Sequence, residues 1–166
     1  YLTIKGDHKY RQEFVDKNCG FGYGDIEKTG EYLGLSFHAQ VPLPKRIVEA
    51  HEKDSSNDEW YKWCLDKWGT KWEAWDCLLD HDADSTVYFF TTAWSPPGDW
   101  MERVSKKFPH VTLVNSWSEE GGEGGYVHVE KGKTIYERAK TPEEWAEAQG
   151  LTEEESIEWI QFNIIG

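Results

Sequence analysis

Basic residues are scarce in this chain: 18 Lys and Arg stand against 31 Asp and Glu over 166 residues, a net charge of −13. That balance disfavours direct binding to nucleic acid, where Lys and Arg must neutralise phosphates, and disfavours an anionic membrane surface. Cysteine is also sparse. Cys19, Cys64 and Cys77 form no C-x-x-C, so they suit neither a zinc ribbon nor a disulfide framework and read as free thiols of a reducing cytosol. No apolar run approaches the roughly 20 residues of a membrane span. No signal peptide is visible, although the chain opens on Tyr1, which leaves room for residues upstream. His8, His38, His51, His81, His110 and His128 form neither H-x-x-x-H nor H-E-x-x-H. Ser95 lies outside any G-x-S-x-G elbow and reads as a cap for the helix after it. These absences lead us to expect no metal, no cofactor and no catalytic residue.

What the chain has in abundance is aromatic surface. Ten tryptophans, eight tyrosines and seven phenylalanines make up 15% of the residues. Each such ring buries about 150–250 Å², so a few of them can replace many aliphatics in a core. A chain this aromatic is not of the disordered type, and its length suits one main domain.

The patterning is mixed. Tyr1–Lys5 reads as a strand, and Asp7 opens a helix that carries Tyr10, Phe14 and Val15 inward. Leu35–Val41 alternates and reads as a half-buried strand, with His38 on its solvent side. Helical spacing over 47–67 is broken at Ser55–Asp58, giving two pieces. Thr86–Thr92 is a strong strand, followed by a helix whose inward stripe is Trp100, Met101, Val104 and Phe108. Val111–Trp117, Tyr126–Glu130 and Thr134–Arg138 are further strands, joined by a glycine-rich turn at 121–125 and by Lys131–Lys133. Helices alternating with antiparallel-type strands predict an α+β sandwich of the ferredoxin-like β-α-β-β-α-β type, with a four-stranded antiparallel sheet covered by helices on one face.

From Thr141 the composition changes. Thr141–Glu144 and Thr152–Glu155 are both capping boxes, predicting two short helices. The last 26 residues hold seven glutamates and no Lys or Arg. We expect a domain over 1–140 and an acidic helical extension, 141–166, packed on it; Ile157, Ile160 and Ile164 share one face of its last helix.

Two tryptophan strings mark the middle of the chain, Trp68-Gly69-Thr70-Lys71-Trp72 and Thr92-Ala93-Trp94-Ser95-Pro96-Pro97. Lys71, between two tryptophans, is either an anion contact, with a neighbouring indole stacked on a ligand ring, or a cation–π pair holding the fold. Trp94 is expected in the core. Asp80-His81-Asp82-Ala83-Asp84 lacks the glycine and glutamate of a calcium loop and reads as a turn. The two strings, with Lys107-Phe108-Pro109, resemble those of the YubB-type ferredoxin-like family, over roughly Leu2–Lys133. Glu73-Ala74 stands where that family has Asp-Ala, and Trp117-Ser118-Glu119-Glu120-Gly121 lacks the family's proline. The resemblance implies the fold and an origin on a plasmid or phage; it implies no reaction.

Two functions follow as expectations. The first is a non-enzymatic interaction protein in the host cytosol, blocking a host defence protein with a basic surface through Glu119, Glu120, Glu123, Glu154, Glu155 and Glu158. The second is a small-molecule or nucleotide binder, or an enzyme, that uses Trp68, Lys71, Trp72 and Trp94.

Overall fold

The computed structural model describes residues 1–21, 32–150 and 155. Its frame is a six-stranded antiparallel sheet. The strands are β1 (Leu2–Lys5), β4 (Trp75–His81), β5 (Thr86–Thr91), β6 (Thr112–Ser118), β7 (Gly124–Glu130) and β8 (Lys133–Ala139). A separate pair, β2 (Gly20–Phe21) and β3 (Tyr32–Leu33), makes a small second sheet. The helices are α1 (His8–Lys17), α2 (Lys45–Lys53), α3 (Glu59–Lys67), α4 (Gly98–Lys107) and α5 (Pro142–Ala148).

The order across the large sheet is β4-β5-β1-β6-β7-β8. Two split units interleave in it. In β1-α1-β4 the two strands are separated by β5; in β5-α4-β6 they are separated by β1. That is the ferredoxin-like arrangement expected from the sequence, extended by the β7–β8 hairpin on one edge. The register places Leu2 opposite Tyr88 and Asn115, and Ile4 opposite Leu113, all facing α1 and α4. Phe14, Trp100, Met101 and Val104 from the two helices complete the buried layer. Phe14 meets Tyr88, Trp100 and Phe108 edge-on, at ring separations of 5.1–6.4 Å, a geometry that aromatic quadrupoles favour. On the opposite face Leu78 and Phe89, paired across β4 and β5, stay exposed.

Arg11 on α1 is buried as well. It donates to the carbonyls of Gly6 (2.8 Å), Asp82 (3.0 Å) and Ala83 (2.6 Å) and to Thr86 Oγ1 (2.8 Å). Four acceptors offset the cost of desolvating the guanidinium, and they clip α1 to the β4–β5 turn. In that turn Asp82 Oδ1 accepts from the amides of Asp84 (2.7 Å) and Ser85 (2.8 Å).

Leu35–Val41 corrects a sequence expectation, for it is a turn and not a strand. The buried Glu73 carboxylate captures its backbone: Oε1 accepts from the amides of Phe37 (2.6 Å) and His38 (3.1 Å), and Oε2 accepts from Ser36 Oγ (2.9 Å). Donors spent on a carboxylate cannot enter a strand ladder. Burial pushes the Glu73 carboxyl up to about 7, against the three hydrogen bonds that favour its charge. His38 is likewise on the turn, its Nδ1 accepting from the Leu43 amide (2.9 Å). The two helical pieces over 47–67 are present as α2 and α3. β4 went unseen in the sequence; a bulge between Trp75 and Leu78 interrupts its pairing, and Asp76 has a positive φ of 50°.

The first tail helix forms as its capping box predicts. Thr141 Oγ1 accepts from the Glu144 amide (3.2 Å), and Glu144 Oε2 accepts from the Thr141 amide (2.9 Å). The second expected tail helix, with Glu154 and Glu158, lies outside the described residues; Glu155 is exposed.

Candidate functional site

The two tryptophan strings, some twenty residues apart in sequence, are hydrogen-bonded into one unit. Ala93 O accepts from Thr70 Oγ1 (2.7 Å) and from the Lys71 amide (3.3 Å), the Trp100 amide donates to Trp68 O (3.1 Å), and Ser95 Oγ donates to Gly69 O. Ser95 therefore does not cap α4, which has no side-chain cap. Gly69 makes the approach possible: its φ is +80°, and a Cβ there would lie 2.8 Å from Asp99 Oδ2 and 3.1 Å from the Asp99 amide.

Within this unit the rings go to different places. Trp68 is fully buried, donates from Nε1 to Val41 O (2.9 Å) and meets Phe37 and Trp63 edge-on. It is thereby removed from any ligand face. Trp94 reverses the expectation that it is core: it is 69% exposed. Its backbone explains why. Trp94 has φ +73°, a left-handed conformation rare for a bulky residue, and it is held there by the bonds to Ala93 on one side and by Thr92 Oγ1 donating to Ser95 O (2.9 Å) on the other. Such a backbone costs about 1–2 kcal/mol for an L residue, and here it turns an indole outward.

Lys71 is caged by rings. Its Nζ lies 4.3 Å from the Trp94 ring centre, 4.7 Å from that of Trp72 and 5.9 Å from that of Tyr61. Trp72 is itself stacked on Trp60 at 6.4 Å, and Tyr61 stands edge-on to Trp94 at 6.1 Å. The cation–π reading of Lys71 thus has its geometry, with three rings in place of one. Of this face Trp72 and Trp94 are exposed and Lys71 is half-buried.

Trp94 also borders a cleft of about 380 Å³, walled further by Ser95, Trp117 and Ser118 and reached by Glu119 and Glu120. A neighbouring cleft of about 290 Å³ shares Thr92, Pro96, Trp117 and Ser118 with it and extends to Lys140 and Ala148. The tail helix closes this end. Trp145 is buried and donates from Nε1 to Glu119 O (2.7 Å), and Gln149 Nε2 donates to Ser118 Oγ (2.9 Å). The β6–β7 tip is itself tied, since the Glu123 amide donates to Glu119 Oε1 (3.0 Å) and the Glu119 amide to Glu123 O (2.8 Å).

The structure therefore joins what the sequence held apart. Glu119, Glu120 and Glu123 on the tip stand beside α5, which carries Glu143, Glu144 and Glu147, and Trp94 from the second string borders the same cleft. Sequence reasoning missed Trp117 as a wall of this site; its place just before an acidic turn was the available signal. Glu144 is partly neutralised. Arg138 grips it through two 2.8 Å bonds and, with the Thr141 amide, holds its carboxyl down at about 2. Burial pushes the Cys64 thiol up to about 12, which removes it as a nucleophile. Among the described residues no three His, Cys, Asp or Glu side chains gather as a metal site requires, and no helix is long and apolar enough to cross a membrane.

A family model described as "Ferredoxin-like domain in Api92-like protein" matches residues 67–161. The match begins at the first tryptophan string and runs into the acidic tail, which the resemblance over roughly Leu2–Lys133 did not include. Among solved structures the chain is similar to the crystal structure of a protein api92 from Yersinia pseudotuberculosis, at 16% identity and a TM-score of 0.53. That likeness covers 63% of this chain and 39% of the other, so the chain spans well under half of that protein, and at this identity what is shared is the fold. No curated protein matches the chain.

Proposed function

We propose that this chain, which belongs to the family of ferredoxin-like domains in Api92-like proteins, is a non-enzymatic interaction protein that docks on a basic protein surface. The observation that carries the reading is a cleft bordered by an outward-turned tryptophan and by Glu119 and Glu120 of the acidic tip, to which the tail helix is tied through Trp145. An exposed indole beside carboxylates suits a partner with apolar and cationic side chains, because aromatic residues supply contact area and charge supplies steering. The net charge of −13 favours the same class of partner. The narrower form of the proposal keeps the YubB-type kinship suggested by the two strings. The protein would then be carried by a phage or plasmid and would act in the host cytosol on a defence component whose basic groove otherwise holds nucleic acid.

The test is a pull-down from host lysate followed by association kinetics. Replacing Glu119, Glu120 and Glu123 together with glutamine is expected to slow association by about tenfold at low salt, with the loss shrinking as salt rises, while the melting temperature hardly moves. A second variant at Glu154, Glu155 and Glu158 separates the tip from the tail. Unchanged binding at low salt in both variants would remove the acidic surface as the interface.

One observation favours a second reading. Lys71 with Trp72 and Trp94 presents a cation framed by exposed rings, which could hold an anionic ring-bearing small molecule or nucleotide. A small ligand that co-purifies with wild type and is lost from a Lys71→Met variant would support it.

A further inference from the structure

We infer that the cleft between Trp94 and Trp117 is a guanidinium pocket, which receives an arginine side chain of the partner. The inference rests on the docking reading above and names the chemistry of its central contact. Two indoles border the cavity and two carboxylates, Glu119 and Glu120, reach it, and among the described residues no Lys or Arg lines it. Its volume of about 380 Å³ exceeds what one side chain fills, which leaves room for the main chain that carries it. An anion would meet the two glutamates there. A flat cation would meet indole rings and carboxylates together.

Arginine fits better than lysine. Its guanidinium is planar, stacks on aromatic faces and presents a fork of donors to a carboxylate, whereas an ammonium is a compact and strongly hydrated point charge. Glu119 spends Oε1 on the Glu123 amide, so its second oxygen and the Glu120 carboxylate are the acceptors the fork would use. The backbone of Trp94 is the second pointer. Its left-handed conformation turns the ring out of the core and keeps it at the cleft wall, fixed through Ala93 and Ser95 on either side.

Lys71 supplies a sign that separates this pocket from the ligand face proposed as the second reading. Its ammonium lies 4.3 Å from the Trp94 ring centre, so it repels a cation stacked on that indole and attracts an anion. A Lys71→Met variant should therefore bind an arginine side chain about twofold more tightly, and an anionic ring more weakly.

The experiment uses the full chain and three capped tripeptides, acetyl-Gly-Arg-Gly-amide and its lysine and citrulline counterparts. Binding is followed through the indole N–H resonances of Trp94 and Trp117. The arginine peptide is expected to shift both saturably in the millimolar range, a usual strength for one side chain. Trp94→Ala should weaken it by about two- to fivefold, lysine should bind more weakly, and citrulline, which keeps the shape without the charge, should not bind. The inference is overturned if the arginine peptide shifts neither indole, if Trp94→Ala leaves its affinity unchanged, or if citrulline or lysine binds as well. A basic protein captured equally by wild type and Trp94→Ala would leave the docking reading standing and overturn the pocket. Peptide binding with no basic protein captured would keep the pocket and overturn the docking reading.

Discussion

Trp68 and Trp94 sit on two strings that hydrogen-bond to each other, and their rings end in opposite environments. Trp68 follows α3 in right-handed backbone, φ −104° and ψ −24°, and its ring enters the core against Phe37 and Trp63. Trp94 has φ +73°, and its ring enters solvent. The residue type is the same; the handedness of the backbone separates the one that serves as scaffold from the one that offers a contact surface. The energies run in opposite directions as well. Burying an indole of about 150–250 Å² contributes roughly 4–6 kcal/mol, whereas Trp94 forgoes that gain and adds the backbone strain.

The largest expected effect tests the inward half of the pair. Trp68→Ala should cost about 3–5 kcal/mol, a large share of a domain's total of roughly 5–15, read as a fall in melting temperature. A variant that melts within a few degrees of wild type would show that the first string does not hold the core.

Glu73, one residue beyond that string, gives the next effect. Its folded carboxyl sits at about 7, above the usual 4.5. A raised pKa contributes stability that is fully present below the unfolded value and is lost as pH rises through the folded one, because the native state then holds a buried charge. Between these limits the loss is roughly 3–4 kcal/mol. Glu73→Gln removes the titration and can still accept from Phe37 and His38. Relative to wild type, its melting temperature should therefore rise steadily from about pH 5 to about pH 8. Parallel melting curves for the two proteins across that range would show that the carboxylate is charged throughout.

The smallest effect belongs to the outward half. Trp94→Gly relieves the left-handed strain and loses only exposed ring contacts, so the melting temperature should hold or rise by up to about 2–4 °C. Partner binding should fall. A substantial drop in melting temperature would instead place the weight of Trp94 in its contacts with Tyr61 and Lys71, and the contrast with Trp68 would close.

Much of the frame was legible in residue patterns. Alternation marked β1 and β6, a nearly continuous apolar run marked β5, and the turns marked β7 and β8; the inward stripe of α4 is Trp100, Met101 and Val104 as spaced, with Phe108 just past its end; and the capping box at Thr141 forms. The failures have a common physical origin, a long-range polar group that overrides local pattern. Leu35–Val41 alternates like a strand, but Glu73, more than thirty residues away, takes its amides. Arg11 looks like a surface residue on α1, but carbonyls from the β4–β5 turn draw it inside. At the site, the acidic tip and the strings were each visible. Their convergence depends on a sheet order and on a positive φ, and neither is written in local hydrophobicity.

The sheet order also sets a timetable. β1 precedes the other strands of the large sheet in sequence and lies in its interior, where Leu2 pairs with Tyr88 on one side and Asn115 on the other. Synthesis delivers the keystone long before either of its neighbours. Until β5 and then β6 emerge, both edges of β1 lack the strands that pair with them, a state open to wrong pairing. Contacts this distant in sequence are slow to form, since a long loop must close before any of them is rewarded. Nascent chains of this protein are therefore most exposed to misassembly in the interval between the appearance of residue 5 and the completion of residue 118.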